Sequence, residues 1–255
     1  MASFPAVLQS EWTKVRSVRS TVWTLALTFL VTLGLGALLS LLTNNNFASF
    51  RNGVDTPFDA TGTSFAGIRL GELAIIVFGV LAIGNEYSTG MIRVSLAAVP
   101  QRATLLAAKA AVLGALALAV SLVTAFVTFF VGQSLLGDHR TTIDAPNVLR
   151  AVLGAAVYLT LLCLFAAGVT AMLHNQTLAL GVLVPFFFLL SPILSAVPKV
   201  RTLAHYFPDY AGSRMLLVYE EAHQPYGPWA GFAICLAWTV AALAGGALVL
   251  KRRDA

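Results

Sequence analysis

The chain has 255 residues, of which 58% are apolar and only 11% charged, with a net charge of +5 and a mean hydropathy of +0.83. Soluble domains carry about 25% charged residues, so this composition excludes a water-soluble fold that covers itself with polar surface. The positive balance needs no nucleic acid to explain it, because the cations flank apolar runs and no basic-aromatic recognition module is present.

A chain in hydrocarbon must pair all its backbone groups internally, since each orphan costs several kcal/mol, which leaves helices or a closed barrel. The apolar runs here are continuous and lack the alternation of a barrel strand, which predicts an all-α polytopic membrane protein forming one domain over 1–255. A crossing needs roughly 20 apolar residues, and six stretches meet that length: Val22–Leu42, Phe65–Gly84, Ala110–Leu136, Val148–Leu173, Leu178–Val197 and Trp229–Leu250.

Before the first span, Phe4, Val7, Leu8, Trp12 and Val15 recur at helical intervals beside Lys14 and Arg16. This spacing predicts an N-terminal interfacial helix containing Glu11, Trp12 and Lys14; a frayed basic flank that only sets orientation is the alternative. The first span is not a cleaved signal, because its apolar core exceeds the usual length of about 7–15 residues and no A-x-A-like site precedes Asn44-Asn45-Asn46. Residues 43–64 carry no recognisable chemistry.

The second span holds Arg69 and Glu72 in its first turns, three apart on one face. They read as an outer membrane-edge pair that neutralises itself locally, with an ion-coupling site as the alternative. Directly after this span runs Gly84-Asn85-Glu86-Tyr87-Ser88-Thr89-Gly90-Met91-Ile92-Arg93, a short polar segment with amphipathic order, a central glycine and a basic tail. Such a segment is expected to lie as a helix on the membrane surface and touch a partner; charges that merely fix topology are the simpler reading.

The third span is about 40 Å long if helical throughout, and its Ala107, Ala111, Ala115 and Ala119 form a small-residue stripe. Such stripes pack helices within a subunit or between subunits. The fifth span contains Pro185 and Pro192, which predict a kink or break, either lining a cavity or passive. Residues 198–228 are too long for a turn and rich in aromatics, Tyr206 and Phe207 among them, as expected of a re-entrant or surface-lying element.

Six crossings place both termini, the 85–109 link and the 174–177 turn on one side. That side has nine basic residues against three acidic ones, and the other has seven against eight. The termini are therefore expected to be cytoplasmic. Asn175-Gln176-Thr177 then falls on the cytoplasmic side and is discounted as a glycosylation acceptor. Cys163 and Cys235 lie in spans and act as small apolar residues rather than a disulfide framework. His139, His174, His205 and His223 fall on separate loops with no metal spacing. No G-x-x-x-x-G-K-[ST] loop, H-E-x-x-H helix or G-x-S-x-G elbow occurs. A transporter of this make-up needs energy from another subunit.

Several stretches together resemble the permease subunits of ABC-2-type ATP-binding cassette transporters of the compact actinobacterial kind. They are Glu11-Trp12-Thr13-Lys14, the Gly84–Arg93 segment, Ala97-Ala98-Val99-Pro100-Gln101-Arg102, Lys109 and Lys251-Arg252-Arg253-Asp254. The resemblance implies a permease in the cell (inner or plasma) membrane that pairs with a second copy or a sister permease. It also implies a separate ATPase subunit that binds ATP and Mg²⁺, so this chain has no cofactor, no metal and no catalytic residue of its own. It makes Asn85–Leu96 the main coupling helix, with Asn85, Ser88 and Thr89 in it. Glu86 and Arg93 become polar contacts to the ATPase, Tyr87 and Met91 apolar ones, and Gly90 a site of close approach. Glu11, Trp12 and Lys14 supply a second contact, and 198–228 an outer gate. Pro185, Phe186, Pro192, Tyr206 and Phe207 are the candidates for gate or pathway. An apolar path suits a hydrophobic or amphipathic cargo. The alternatives are an ion-coupled secondary transporter and a non-transporting scaffold or sensor.

Overall fold

A computed structural model describes residues 3–51, 57–99, 101–219 and 225–252, which are helical and turn structure with no strand among them. Of the stretches singled out in the sequence, Pro100, His223 and Arg253-Asp254 lie outside the described residues.

Six helices are long and apolar enough to cross a membrane: Arg19–Asn45, Ala60–Ser88, Arg102–Leu135, Val148–Leu173, Gln176–Ala196 and Pro228–Lys251. They correspond to the six expected spans, called span one to span six below. Two run well past their apolar windows. Span two begins at Ala60, where Asp59 accepts a hydrogen bond from the Gly62 amide (2.8 Å) and so caps the first turn. It passes through a 3₁₀ turn at Phe65–Gly67 and ends only at Ser88. Span three starts at Arg102, giving 34 residues, or about 51 Å of helix. Polar ends hide these extensions from a hydropathy reading.

Span four is the axis of the bundle. Some 78% of its apolar window is buried, against 28% in spans one and six. Tyr158, Leu159, Leu162 and Cys163 face inward there, with Phe78 and Ile75 of span two and Phe129 of span three. Span one turns its small and hydroxyl side inward (Thr21, Leu25, Thr28, Thr32, Gly36 and Ser40) and its large apolar side outward, with Trp23 73% exposed. That inversion suits a lipid solvent, where helices associate through small residues rather than through apolar bulk. The alanine stripe of span three also faces outward, with Ala107, Ala111, Ala115 and Ala119 all exposed. It does not pack helices within this chain.

A two-residue turn at left-handed His174 and Asn175 joins spans four and five, and the Asn175 side chain caps span five through the Leu178 amide (2.9 Å). Span five stays continuous across both prolines. Pro185 is followed by a π-helical stretch, Phe186–Leu190, that widens the turn. A local π adjustment absorbs the missing donor, so the expected break is a bulge. The segment after span five folds back as Arg201–Ala204, Pro208–Ser213 and a 3₁₀ turn at Arg214–Leu216. The Trp238 indole N–H of span six donates to the Tyr206 carbonyl (2.8 Å) and holds it there.

The N-terminal helix, Phe4–Ser17, is separate from span one, the break falling at extended Val18. It lies at the end of the bundle where spans two and six finish and span three begins, since Arg102 of span three donates to the Leu250 carbonyl (2.7 Å). This is called the terminal end below.

Candidate coupling site at the terminal end

Helical spacing puts Val7, Glu11 and Lys14 on one face of the N-terminal helix, and that face is the one turned inward. Val7, 2% exposed, packs with Ile92, Leu105 and Ala108. Phe4 and Trp12 point out, 44% and 47% exposed, as an interfacial helix requires. Beneath Val7 lies a buried charge cluster. The Lys109 ammonium of span three donates to Glu11 Oε2 (2.6 Å) and to Glu86 Oε1 at the end of span two. Lys14 donates to Glu11 Oε1 (2.7 Å), to Glu86 Oε1 (3.4 Å) and to Ser95 Oγ (2.9 Å).

Glu11, Glu86, Lys109 and Ser95 are all buried. Two carboxylates alternate with two ammoniums, so the group is neutral although its members are ionic. Burial pulls the Lys14 pKa down, but the Glu11 hydrogen bond and the Glu86 charge outweigh it and the net shift is upward. Glu86 Oε2 is buried without a hydrogen-bond partner. A cavity of about 50 Å³ lies alongside, lined by the charged group together with Phe78, Leu81 and Leu113.

The expected coupling segment is two helices and a hinge. Asn85, Glu86, Tyr87 and Ser88 form the last turn of span two, and Met91–Ala98 is a separate short helix. Between them the Asn85 carbonyl accepts from the Thr89 amide (3.1 Å) and hydroxyl (2.7 Å). Gly90 adopts the left-handed conformation (φ +71°), and a Cβ there would meet nothing within 4 Å. Within the chain its role is backbone freedom at the hinge. Because the helix continues past Gly84, Glu86 rotates inward to Lys109, and the expected direct contact with a partner gives way to an internal ion pair. Tyr87 also turns inward, edge-on to His174 at 4.7 Å. Ser88, Thr89, Met91 and Arg93 remain exposed, joined by Val94 at 70%.

Val94 and Ser95 fall within the expected Asn85–Leu96 helix without roles of their own, and Lys109 reads in the sequence as opening span three rather than as a site residue. A charged residue two helical turns inside span three was the available signal, hidden because the span seemed to begin after it.

The other candidates lie toward the opposite half. Arg69 and Glu72 do pair (3.0 Å), about a third of the way along the 29-residue span two, but the pair is not self-contained. Glu72, 1% exposed, also accepts from the Tyr158 hydroxyl (2.5 Å). Arg69 stands 3.7 Å from Asp209 Oδ2, which accepts from the Ser191 hydroxyl at 2.5 Å. Phe186 and Phe207 come together, ring centroids 5.1 Å apart, and Pro192 is half-buried one residue from Ser191. Pro185 faces outward and Tyr206 is 45% exposed.

Among the described residues no group of His, Cys, Asp and Glu is arranged to hold a metal. A comparison with curated proteins found none that matches. A family model described as ABC-2 family transporter protein matches residues 7–194, from the inward face of the N-terminal helix through the π stretch of span five. This chain belongs to that family and is a multi-pass membrane transport component.

Proposed function

We propose that the chain is the permease subunit of an exporter driven by a separate ATP-binding cassette ATPase, with its terminal end in the cytoplasm. The observation that carries this reading is the Glu11–Lys14–Glu86–Lys109 cluster. It fastens the N-terminal helix, the end of span two, the Met91–Ala98 helix and the start of span three into one unit. A push on the exposed Met91, Arg93 and Val94 face is thereby delivered to spans two and three together. A loop joined only by its backbone would absorb such a push. Glu86 and Lys14 act in this account as internal linkage, and Arg93, Met91 and Val94 as the contact.

The exposed alanine stripe of span three supports pairing with a second permease, since small residues let helices approach closely. The apolar faces and the Phe186–Phe207 contact favour a hydrophobic or amphipathic cargo. The test is reconstitution with a candidate ATP-binding cassette ATPase, such as one encoded in an adjacent reading frame. ATP-dependent efflux that needs both proteins is expected. Flux that persists without the ATPase points to an ion-coupled carrier, and no flux with either arrangement points to a scaffold.

A further inference from the structure

Asp209 sits in the segment that folds back after span five, yet it is 0% exposed. From span two it faces Arg69, and Glu72 beyond it; Tyr158 faces it from span four, Ser191 from span five and Cys235 from span six. On its own side of the molecule stand Tyr210, stacked on buried His205 (4.5 Å), and Tyr226, packed on Tyr206, with Arg214 on the next turn acting on Tyr226. The two carboxylates share the guanidinium of Arg69, at 3.0 Å from Glu72 and 3.7 Å from Asp209. Two carboxylates that share one cation in a water-poor site do not both ionise freely, because the second negative charge is largely withdrawn from solvent and has no counter-ion to itself.

We propose that Arg69, Glu72 and Asp209 form a proton-operated latch on the folded-back segment, closed when one carboxylate holds a proton and loosened when both are charged. The seat of the latch is tight. A Cβ at Gly212 would lie 2.4 Å from the Tyr158 ring and 3.0 Å from the Cys235 sulfur, so the segment rests directly on spans four and six with no side chain between. Closure withdraws Asp209 from water, while half-exposed Arg69 leaves one edge of the group open. A carboxyl that binds its proton more tightly closed than open favours closure at low pH. As pH rises from the ordinary carboxylate range of about 4, the open form deprotonates first and closure weakens. Burial outweighs what favours the charge on Asp209, the Ser191 hydroxyl donating to Oδ2, the Arg69 guanidinium and the backbone amides of Tyr210 and Asp209, and holds its carboxyl above the ordinary range.

Cys235, 0% exposed beneath Gly212, is a built-in reporter of opening once the other buried thiol is removed by Cys163→Ala. The experiment measures the labelling rate of Cys235 by a small charged methanethiosulfonate in the purified chain from about pH 5 to about pH 8. Each rate is divided by that of the same protein carrying Asp209→Asn, which cancels the thiol's own titration. Opening should shift about tenfold for each unit by which closure raises the Asp209 pKa, so the ratio is expected to rise at least ~5-fold across the range. A flat ratio overturns the latch. Should Asp209→Asn not fold, Glu72→Gln serves as divisor: it removes the competing charge, and the same rise is expected, while a ratio that stays flat again overturns the proposal. Neither ATP nor cargo enters this measurement, so its failure leaves the export reading standing, and the converse holds.

Discussion

Lys109 shows how one side chain can hold three elements. Its ammonium bonds to carboxylates from the N-terminal helix and from span two, at a site where it is 6% exposed. Removing one member of a buried ionic group leaves its partners charged and unpaired, at a cost of about 3–5 kcal/mol. Lys109→Met is therefore expected to lower the unfolding midpoint in detergent sharply, and Glu86→Lys, which makes three ammoniums face one carboxylate, to do so at least as much. Exchanging the pair, Glu86→Lys with Lys109→Glu, restores the charge pattern and should recover most of that loss. Recovery no better than additive would mean that the two residues act separately. The inward turn of Glu86 was not legible from its sequence neighbours. Gly84 and Asn85 look like a helix end, and only the hydrogen bonding of the turn through Ser88 sets the carboxylate against span three.

At the scale of elements, the six spans were legible because long apolar runs leave the chain few other solutions in a bilayer. Their ends were not, since residues buried by packing at the ends of spans two and three are polar and score as loop. Asp209 gave no signal either, because an acidic residue between two spans reads as exposed until the segment is seen folded back. The hinge between span two and the Met91–Ala98 helix rests on Gly90, where φ is +71°. An L side chain in that conformation costs about 1–2 kcal/mol, so Gly90→Ala should lower stability by that amount although nothing blocks the methyl. A larger loss would show that the site is crowded in the assembled protein. On the outward side of span three, Ala115→Trp should leave the monomer's unfolding unchanged and weaken pairing of permeases, read by crosslinking in membranes.

For the whole molecule, the account makes the terminal end a single mechanical unit presented to another protein and places a separate latch toward the opposite half. Both depend on charges that are buried and paired, which is costly unless the pairing is complete. Family membership supports a transport role for the bundle, and the exposed Met91, Arg93 and Val94 face is where the account places the energy input. Co-purification with the candidate ATP-binding cassette ATPase tests this most directly. Arg93→Glu combined with Val94→Asp changes only exposed side chains. The double variant should unfold at the wild-type temperature while losing at least ~10-fold of the ATPase bound to the wild-type chain, the equivalent of about 1.4 kcal/mol. A variant that folds normally and retains its full complement of ATPase would contradict the account.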